Sequence, residues 1–171
     1  GILACGFQNA AVMTSVARTV LVEFGAAFMY ELVADIESYP AFLPWCSSAR
    51  VQSHIGDRTV ATLGIDYRGL RQSFTTENTA TPGRNIQLKL IAGPFRELHG
   101  EWQFQALGAN ACKVSLSLEY EFTGKVLATL LGPVFNHIAN TLVEAFVHRA
   151  EQLAADSAEL RDRKSTRLNS S

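Results

Sequence analysis

Histidine and cysteine are the residue types here that most often serve catalysis or metal binding, and their spacing favours neither role. The four histidines, His54, His99, His137 and His148, form no HxxxH or HExxH pair, so the sequence contains no zinc motif of this kind. The three cysteines, Cys5, Cys46 and Cys112, lie far apart and form no CxxC pair. We therefore expect no metal or redox centre, and a reducing, intracellular compartment is the simpler interpretation.

Nucleophilic and acid–base chemistry is also poorly supported. Ser47 and Ser48 follow Cys46, but the sequence assigns no base or orienting group to any of the three. A cysteine among aromatic residues is more often a small buried hydrophobic group than a nucleophile. The carboxylates of the strand-like region fall mainly on outward positions, as on a solvated face: Glu97, Glu101, Glu119 and Glu121. Since there is also no Gly-rich phosphate loop, we expect a protein that is not an enzyme and requires no cofactor.

The most informative run is Tyr39-Pro40-Ala41-Phe42-Leu43-Pro44-Trp45-Cys46. Proline fixes φ and lacks an N–H, so this run predicts a bent connector rather than a helix or a central strand. Its apolar surface must either fill the core or line a cavity. The same two alternatives stay open for the other large rings, Phe74, Trp102, Phe104, Tyr120, Phe135 and Phe146.

Arg149 is a charged residue one helical turn after Phe146 of this aromatic set. One interpretation is a cation at a helix end, where the macrodipole favours positive charge. The other is a positive group at the mouth of a pocket, where it would meet a polar headgroup.

The elements that must position these residues follow from hydrophobic periodicity. Residues 15–22 predict a strand, residues 26–35 a short amphipathic helix, and residues 36–42 a second short helical piece. Alternation with period two predicts successive antiparallel strands between residues 61 and 122, separated by short turns. A helical stripe then runs from Leu127 to about Ala155, and Gly132-Pro133 should kink or restart this helix.

This order of elements predicts an α+β fold, with one long C-terminal helix laid across a curved antiparallel sheet. Two short helices follow the first strand. Because the helix cannot fill the concave face of the sheet completely, an apolar pocket is expected between them.

Length and charge restrict the function further. The 171 residues suit a single domain, which we predict at residues 13–160, and residues 1–12 and 161–171 are expected to be non-native or disordered extensions. No apolar stretch is long enough to span a bilayer. The predicted domain contains eleven Lys and Arg against fifteen Asp and Glu, a balance of −4. An acidic body argues against a nucleic-acid groove, so no direct DNA binding is expected.

Three blocks of the sequence resemble a known family in order and spacing. They are Tyr39-Pro-x-Phe42-Leu-Pro44-Trp45-Cys46, then Gly93-Pro94-Phe95-Arg96-x-Leu98-x-Gly100-x-Trp102-x-Phe104, and finally 122–135 with Phe146-x-x-Arg149-Ala150. Together they resemble the coenzyme Q-binding and ribosome association toxin RatA family, which is part of the START-like polyketide cyclase/dehydrase superfamily. The resemblance covers roughly residues 13–155.

The resemblance implies a helix-grip (START-like) fold with an internal cavity that binds ubiquinone or a related isoprenoid lipid. The ligand-binding residues it suggests, together with the periodicity, are Tyr39, Phe42, Pro44, Trp45, Phe74, Phe95, Trp102, Phe104, Tyr120, Phe135, Phe146 and Arg149. Such a protein would support respiratory electron transport or quinone biosynthesis. We expect it in the cytoplasm, in peripheral contact with quinone enzymes or with the inner face of the inner membrane (the matrix side in a eukaryote).

The same resemblance implies two alternatives. One is a RatA-type toxin that binds the large ribosomal subunit and blocks subunit association, although the acidic body does not favour it. The other is a polyketide cyclase-like enzyme, which would need acid and base groups facing the cavity. The predicted inward faces offer rings and aliphatic groups, with Tyr67 and Tyr120 as the evident proton donors.

Overall fold

A seven-stranded antiparallel sheet forms the main body of the computed structural model, which describes residues 13–169. The strands are β1 (Thr14–Val22), β2 (Cys46–Ile55), β3 (Arg58–Tyr67), β4 (Leu70–Thr81), β5 (Asn85–Ala92), β6 (Phe95–Gly108) and β7 (Ala111–Phe122). Their order in the sheet is β1-β7-β6-β5-β4-β3-β2, so the first strand pairs with the last and the others form a meander. Short turns between neighbouring strands account for this antiparallel order.

Helices cover one face of the sheet. The short helix α1 (Ala26–Ala34) and a 3₁₀ helix (Ile36–Ala41) follow β1, and the long helix α2 (Gly124–Asn169) follows β7. The core lies where the inward faces of the strands meet these helices. The predicted α+β, helix-grip fold is thus confirmed, including its two short helices after the first strand.

The alternation of the strands is clearest in β7. Val114, Leu116, Leu118, Tyr120 and Phe122 are all buried, whereas the residues between them are half-buried or exposed. One face of the sheet is therefore apolar and covered, as the period of two predicts.

Strand β2 is an element that the sequence pattern does not predict. It lies at the edge of the sheet and pairs only with β3. Most of its side chains are exposed, with Cys46 buried at its start, so it has little of the apolar alternation that would identify a strand. Pairing with β3, rather than burial, holds this strand in the sheet.

Helix α2 is longer than predicted. It is one continuous helix through Pro133, so the expected restart at this proline is wrong, whereas the alternative of a kink stays a prediction. Proline removes a single backbone donor, and the adjacent turns of a long packed helix retain theirs. The helix also continues past Ala155 to Asn169, and residues 161–168 are helical and exposed. Residues 1–12 lie outside the described part of the chain, and the domain boundaries stay a prediction.

The apolar character of α2 also exceeds the expectation from the sequence. By length and composition, residues 124–168 include a stretch apolar enough to cross a membrane. In the structure, this helix instead packs its buried stripe against the sheet, through Leu131, Phe135, Ile138, Ala139, Val143 and Phe146.

Candidate functional site

A cavity of about 90 Å³ lies between the sheet and helix α2. Helix α1 and the 3₁₀ helix close one side of it, strands β3 to β7 form the floor, and α2 forms the roof. Its lining includes Val33, Ile36, Tyr39, Trp45, Ala61, Leu63, Phe74, Thr76, Asn78, Ile86, Leu88, Leu98, Trp102, Leu118, Phe135, Ile138, Ala139, Leu142 and Phe146. The pocket predicted between helix and sheet is present.

The lining contains almost no ionisable chemistry. No Asp, Glu, Lys, Arg, His or Cys belongs to it, and Tyr39 is its single titratable residue. The Tyr39 hydroxyl donates a hydrogen bond to the carbonyl oxygen of Val33, and burial raises the pKa of Tyr39 well above its ordinary value. Tyr39 therefore stays protonated and engaged with the backbone, and the cavity offers no general acid or base near neutral pH.

One polar pair interrupts the apolar lining. The Thr76 hydroxyl donates a hydrogen bond of 2.9 Å to the Asn78 side-chain oxygen, and both residues lie on the inward face of β4 after Phe74. The period of two places Thr76 on that face, but Asn78 was missed by the sequence analysis. The signal was present, because Asn78 continues the same alternating row.

The aromatic connector forms one wall of the cavity. Leu43 and Trp45 are buried, whereas the two prolines of the connector, Pro40 and Pro44, are exposed at the bend. The backbone N–H of Asp66 on β3 donates to the Trp45 carbonyl oxygen, which holds the connector to the sheet. The connector is bent, as its prolines predict, and it places Trp45 in the cavity wall, which is one of the two alternatives that the sequence left open.

Cys46 ends this connector and is not disposed to react. Its thiol donates to the Ser48 carbonyl oxygen, and burial raises its pKa to about 11 despite that hydrogen bond, which lowers it. A thiol that stays protonated at neutral pH is a poor nucleophile, so the interpretation of Cys46 as a small buried hydrophobic group fits its surroundings.

A dense cluster of rings lies beside the cavity. We call the set Phe74, Phe95, Tyr120, Phe122 and Phe135 the ring cluster. Neighbouring ring centroids in it are 4.6 Å apart for Tyr120 and Phe135, 4.8 Å for Phe95 and Phe122, and 4.9 Å for Phe95 and Phe135. The rings fill the space between α2 and strands β4, β6 and β7, with Phe74 and Phe135 also lining the cavity.

Half of the twelve predicted ligand-binding residues line the cavity, and the other half do not. Six of them line the cavity, namely Tyr39, Trp45, Phe74, Trp102, Phe135 and Phe146. The other six, which lie outside the lining, are Phe42, Pro44, Phe95, Phe104, Tyr120 and Arg149. Pro44 is exposed at the bend, Phe95 and Tyr120 belong to the ring cluster, and Phe104 packs against Tyr30 and Trp102. Their part in binding remains a prediction.

The interpretation of Arg149 as a cation at a helix end is wrong, whereas its place at the mouth of a pocket stays a prediction. The helix continues to Asn169, so Arg149 is not at a helix end. Its guanidinium carbon lies 5.2 Å from the centroid of the Phe42 ring, and Phe42 in turn contacts Tyr39 and Phe146. Arg149 therefore covers the outer side of the aromatic wall by a cation–π contact.

A metal centre finds no support in residues 13–169. In that range, no group of three or more His, Cys, Asp or Glu side chains is placed to hold a metal ion. What the site can do chemically is to exclude water and enclose an apolar molecule, with one polar pair available for orientation.

Comparison with known proteins agrees with this geometry. Residues 22–147 match the model of a family described as polyketide cyclase/dehydrase and lipid transport. The chain is 44% identical over 140 residues to the ribosome association toxin RatA of Pseudomonas aeruginosa, covering 82% of this chain and 97% of that protein. It is 23% identical over 139 residues to the mitochondrial coenzyme Q-binding protein coq10 of Schizosaccharomyces pombe, covering 77% of this chain and 83% of that protein.

A solved structure supports the fold independently. The Zhui aromatase/cyclase from Streptomyces sp. R1128 superposes with a TM-score of 0.74 at 20% sequence identity, covering 82% of this chain and 95% of that one. At this identity the likeness concerns the fold alone. From the family match and the relatives together, this chain belongs to the polyketide cyclase/dehydrase and lipid transport family, within its coenzyme Q-binding and RatA branch.

Proposed function

We propose that this protein binds a hydrophobic ligand, ubiquinone or an isoprenoid precursor of it, in the cavity without catalysing a reaction. The observation that carries the proposal is the lining itself, which is apolar apart from Thr76 and Asn78 and lacks a usable acid or base. The family description includes lipid transport, and one relative is named a coenzyme Q-binding protein.

The size of the cavity sets a condition on binding. Its volume of about 90 Å³ is smaller than the roughly 150 Å³ of an engineered apolar cavity that takes up benzene. A quinone ring or an isoprene unit therefore requires the walls to move apart, or side chains to change rotamer. Each methylene that the ligand buries contributes about 0.8 kcal/mol, so a few isoprene carbons can offset such a rearrangement.

The ligand class can be tested by native mass spectrometry and organic extraction. The full chain would be purified from a quinone-producing bacterium, alongside an Ala139→Leu variant in which three added carbons occupy the cavity. We expect close to one quinone or polyprenyl lipid per wild-type chain, and much less with the variant. A folded wild-type protein that retains no lipid and takes none up would contradict the proposal.

A second function concerns the outside of the molecule. Relatives 37–44% identical to this chain are named ribosome association toxins, and the match covers nearly their whole length. On that basis we also propose association with the ribosome through the large subunit. Sucrose-gradient profiles of cells that overproduce the chain would test this, because blocked association leaves free subunits in excess. Unchanged profiles at high protein levels would contradict it.

The cyclase alternative has no comparable support in the geometry. Neither Tyr67 nor Tyr120, the expected proton donors, lines the cavity. Tyr67 stacks on His137, and the Tyr120 hydroxyl donates to Asn136. We therefore do not propose an enzymatic function, although enzymes share this fold.

A further inference from the structure

Strand β4 contributes two polar side chains, Thr76 and Asn78, to the cavity lining. Its inward row runs Phe74, Thr76, Asn78, all of which line the cavity. Thr76 is the single buried residue of polar or charged type among residues 13–169, and Asn78 next to it is half-buried. Polar side chains at inward positions cost free energy unless they find hydrogen-bond partners, so this pair calls for a physical explanation.

The hydrogen bond between the two residues fixes how Asn78 is used. The Thr76 hydroxyl donates to the Asn78 Oδ1 at 2.9 Å. This leaves the two N–H groups of Asn78 Nδ2, which donate to no residue in the described range 13–169. Asn78 is half-buried, so Nδ2 is open to solvent and is not a buried atom without a partner. The Asn78 side-chain oxygen is therefore occupied by Thr76, and the Asn78 NH₂ group can donate to another molecule.

The neighbours of Asn78 leave the ligand as the natural acceptor. In the sheet register Asn78 lies opposite Thr59 on β3 and Leu88 on β5, and Leu88 is itself part of the cavity wall. The half-exposed lining residues Leu63, Leu88 and Leu142 are aliphatic and offer no side-chain acceptor. A carbonyl oxygen on the ligand would take the place of the water that reaches this half-buried amide.

We propose that Asn78, oriented by Thr76, donates a hydrogen bond to a carbonyl oxygen of the bound ligand, so that the cavity prefers apolar molecules carrying a ketone or quinone oxygen over plain hydrocarbons. This inference rests on the proposed binding function and adds its chemical selectivity. Thr76 is a positioning residue in this scheme, because it acts on the ligand only through Asn78. A neutral hydrogen bond of ordinary strength corresponds to a preference of roughly three- to tenfold.

The test compares two probes with the same tail and a six-membered ring, geranyl-1,4-benzoquinone, which carries two carbonyl oxygens, and geranylbenzene, which carries none. Isothermal titration calorimetry on the full chain gives the ratio of their dissociation constants. We expect wild type to prefer the quinone by roughly three- to tenfold. Asn78→Leu should bring the ratio close to one while retaining affinity for geranylbenzene, and Thr76→Val should give an intermediate ratio.

Matched controls lie outside the cavity on the same part of the sheet. Thr79→Val removes a hydroxyl from β4 that is not part of the cavity lining, and Gln87→Leu replaces an exposed amide on β5. Both should leave the ratio at the wild-type value. Circular dichroism checks the fold of every variant, and Thr76→Val decides the matter if Asn78→Leu does not fold.

The outcomes separate the two proposals. If neither probe binds wild type, the binding function fails and the inference fails with it. If both probes bind and the ratio is the same in wild type, Asn78→Leu and Thr76→Val, the inference alone is overturned. The reduced form of the first probe, geranylhydroquinone, serves as a third ligand. If wild type prefers it to the quinone and Asn78→Leu abolishes that preference, the inference is also overturned, because the amide oxygen would then face the ligand.

Discussion

The ring cluster and the cavity are adjacent parts of one sheet–helix interface, and they differ in how completely side chains fill it. In the ring cluster, Phe95, Phe122 and Phe135 pack with centroids 4.8 to 6.1 Å apart. In the cavity, the short side chains of Ala61 and Ala139 belong to the wall, and about 90 Å³ stays unfilled. Aromatic residues occur in both regions, so residue type does not decide between core and pocket.

The neighbours of a ring, rather than its residue type, determine its role. Phe74 and Phe135 belong to both regions, with one side in the ring cluster and the other on the cavity. A close-packed cluster gives stability, and an incompletely filled wall leaves room for a ligand. The first region should therefore respond to mutation in stability, and the second in binding.

The largest effect on stability is expected in the ring cluster. Phe95→Ala removes a buried ring that contacts Phe74, Tyr120, Phe122 and Phe135, and should lower the free energy of unfolding by about 3–5 kcal/mol. Urea unfolding followed by circular dichroism measures it.

Phe28→Ala is the control, because its ring is 39% exposed. Its loss should stay below about 1 kcal/mol. If the two variants lost similar amounts, the ring cluster would not be the stabilising region.

Added side-chain volume should affect a cavity wall and a filled interior differently. Ala139 and Ala150 are both fully buried on α2, but only Ala139 belongs to the cavity lining. Ala139→Leu should weaken ligand binding at least tenfold at little cost in stability. Ala150→Leu has no space to enter and should destabilise the protein by about 1–3 kcal/mol. Thermal unfolding and calorimetric titration of both variants would test this, and equal destabilisation would contradict the cavity.

The buried thiol beside the cavity wall gives a smaller, pH-dependent effect. An exposed, unfolded Cys46 releases its proton near pH 9, whereas the folded thiol keeps it until about pH 11. Between these values the unfolded state binds fewer protons, so the free energy of unfolding falls as pH rises.

Cys46→Ala should remove this part of the decline, and its unfolding curve should depend less on pH from 9 to 11 than that of wild type. Urea titrations at several pH values measure the difference. Parallel declines in the two proteins would show that the thiol is not protected by burial.

The smallest effect on stability is expected at the exposed edge of the interface between helix α2 and the sheet. Arg18 on β1 and Glu144 on α2 form an ion pair whose side chains are 43% and 45% exposed. Glu144→Gln should lower the free energy of unfolding by less than about 1 kcal/mol, and added salt should reduce the difference further. A loss as large as that of Phe95→Ala would mean that this edge, rather than the ring cluster, holds the helix to the sheet.

Much of the fold could be predicted because the inward rows of β3 to β7 follow a period of two and the buried stripe of α2 a helical period. Strand β2 could not, because its edge position leaves both faces largely polar. Nor could the continuity of α2 through Pro133, since a packed helix tolerates one missing donor that an isolated sequence pattern marks as a break.

From the sequence, the site could be predicted only as a set of aromatic residues that face the interior of the fold. Periodicity shows that Phe104 and Tyr120 face inward, but which rings meet the cavity depends on contacts between distant elements. Asn78 illustrates the same limit, since its importance comes from the bond to Thr76 and from the cavity beside it. Neither is visible in the alternation alone.

Tryptophan fluorescence tests the central claim, that the cavity binds a ligand, most directly. The chain contains two tryptophans, and both Trp45 and Trp102 line the cavity. Titrating the full chain with a short-chain ubiquinone should quench their emission saturably, with one quinone per chain, and Ala139→Leu should abolish the saturable part. Emission that falls identically in wild type and Ala139→Leu, or only in the linear manner of collisional quenching, would contradict the account.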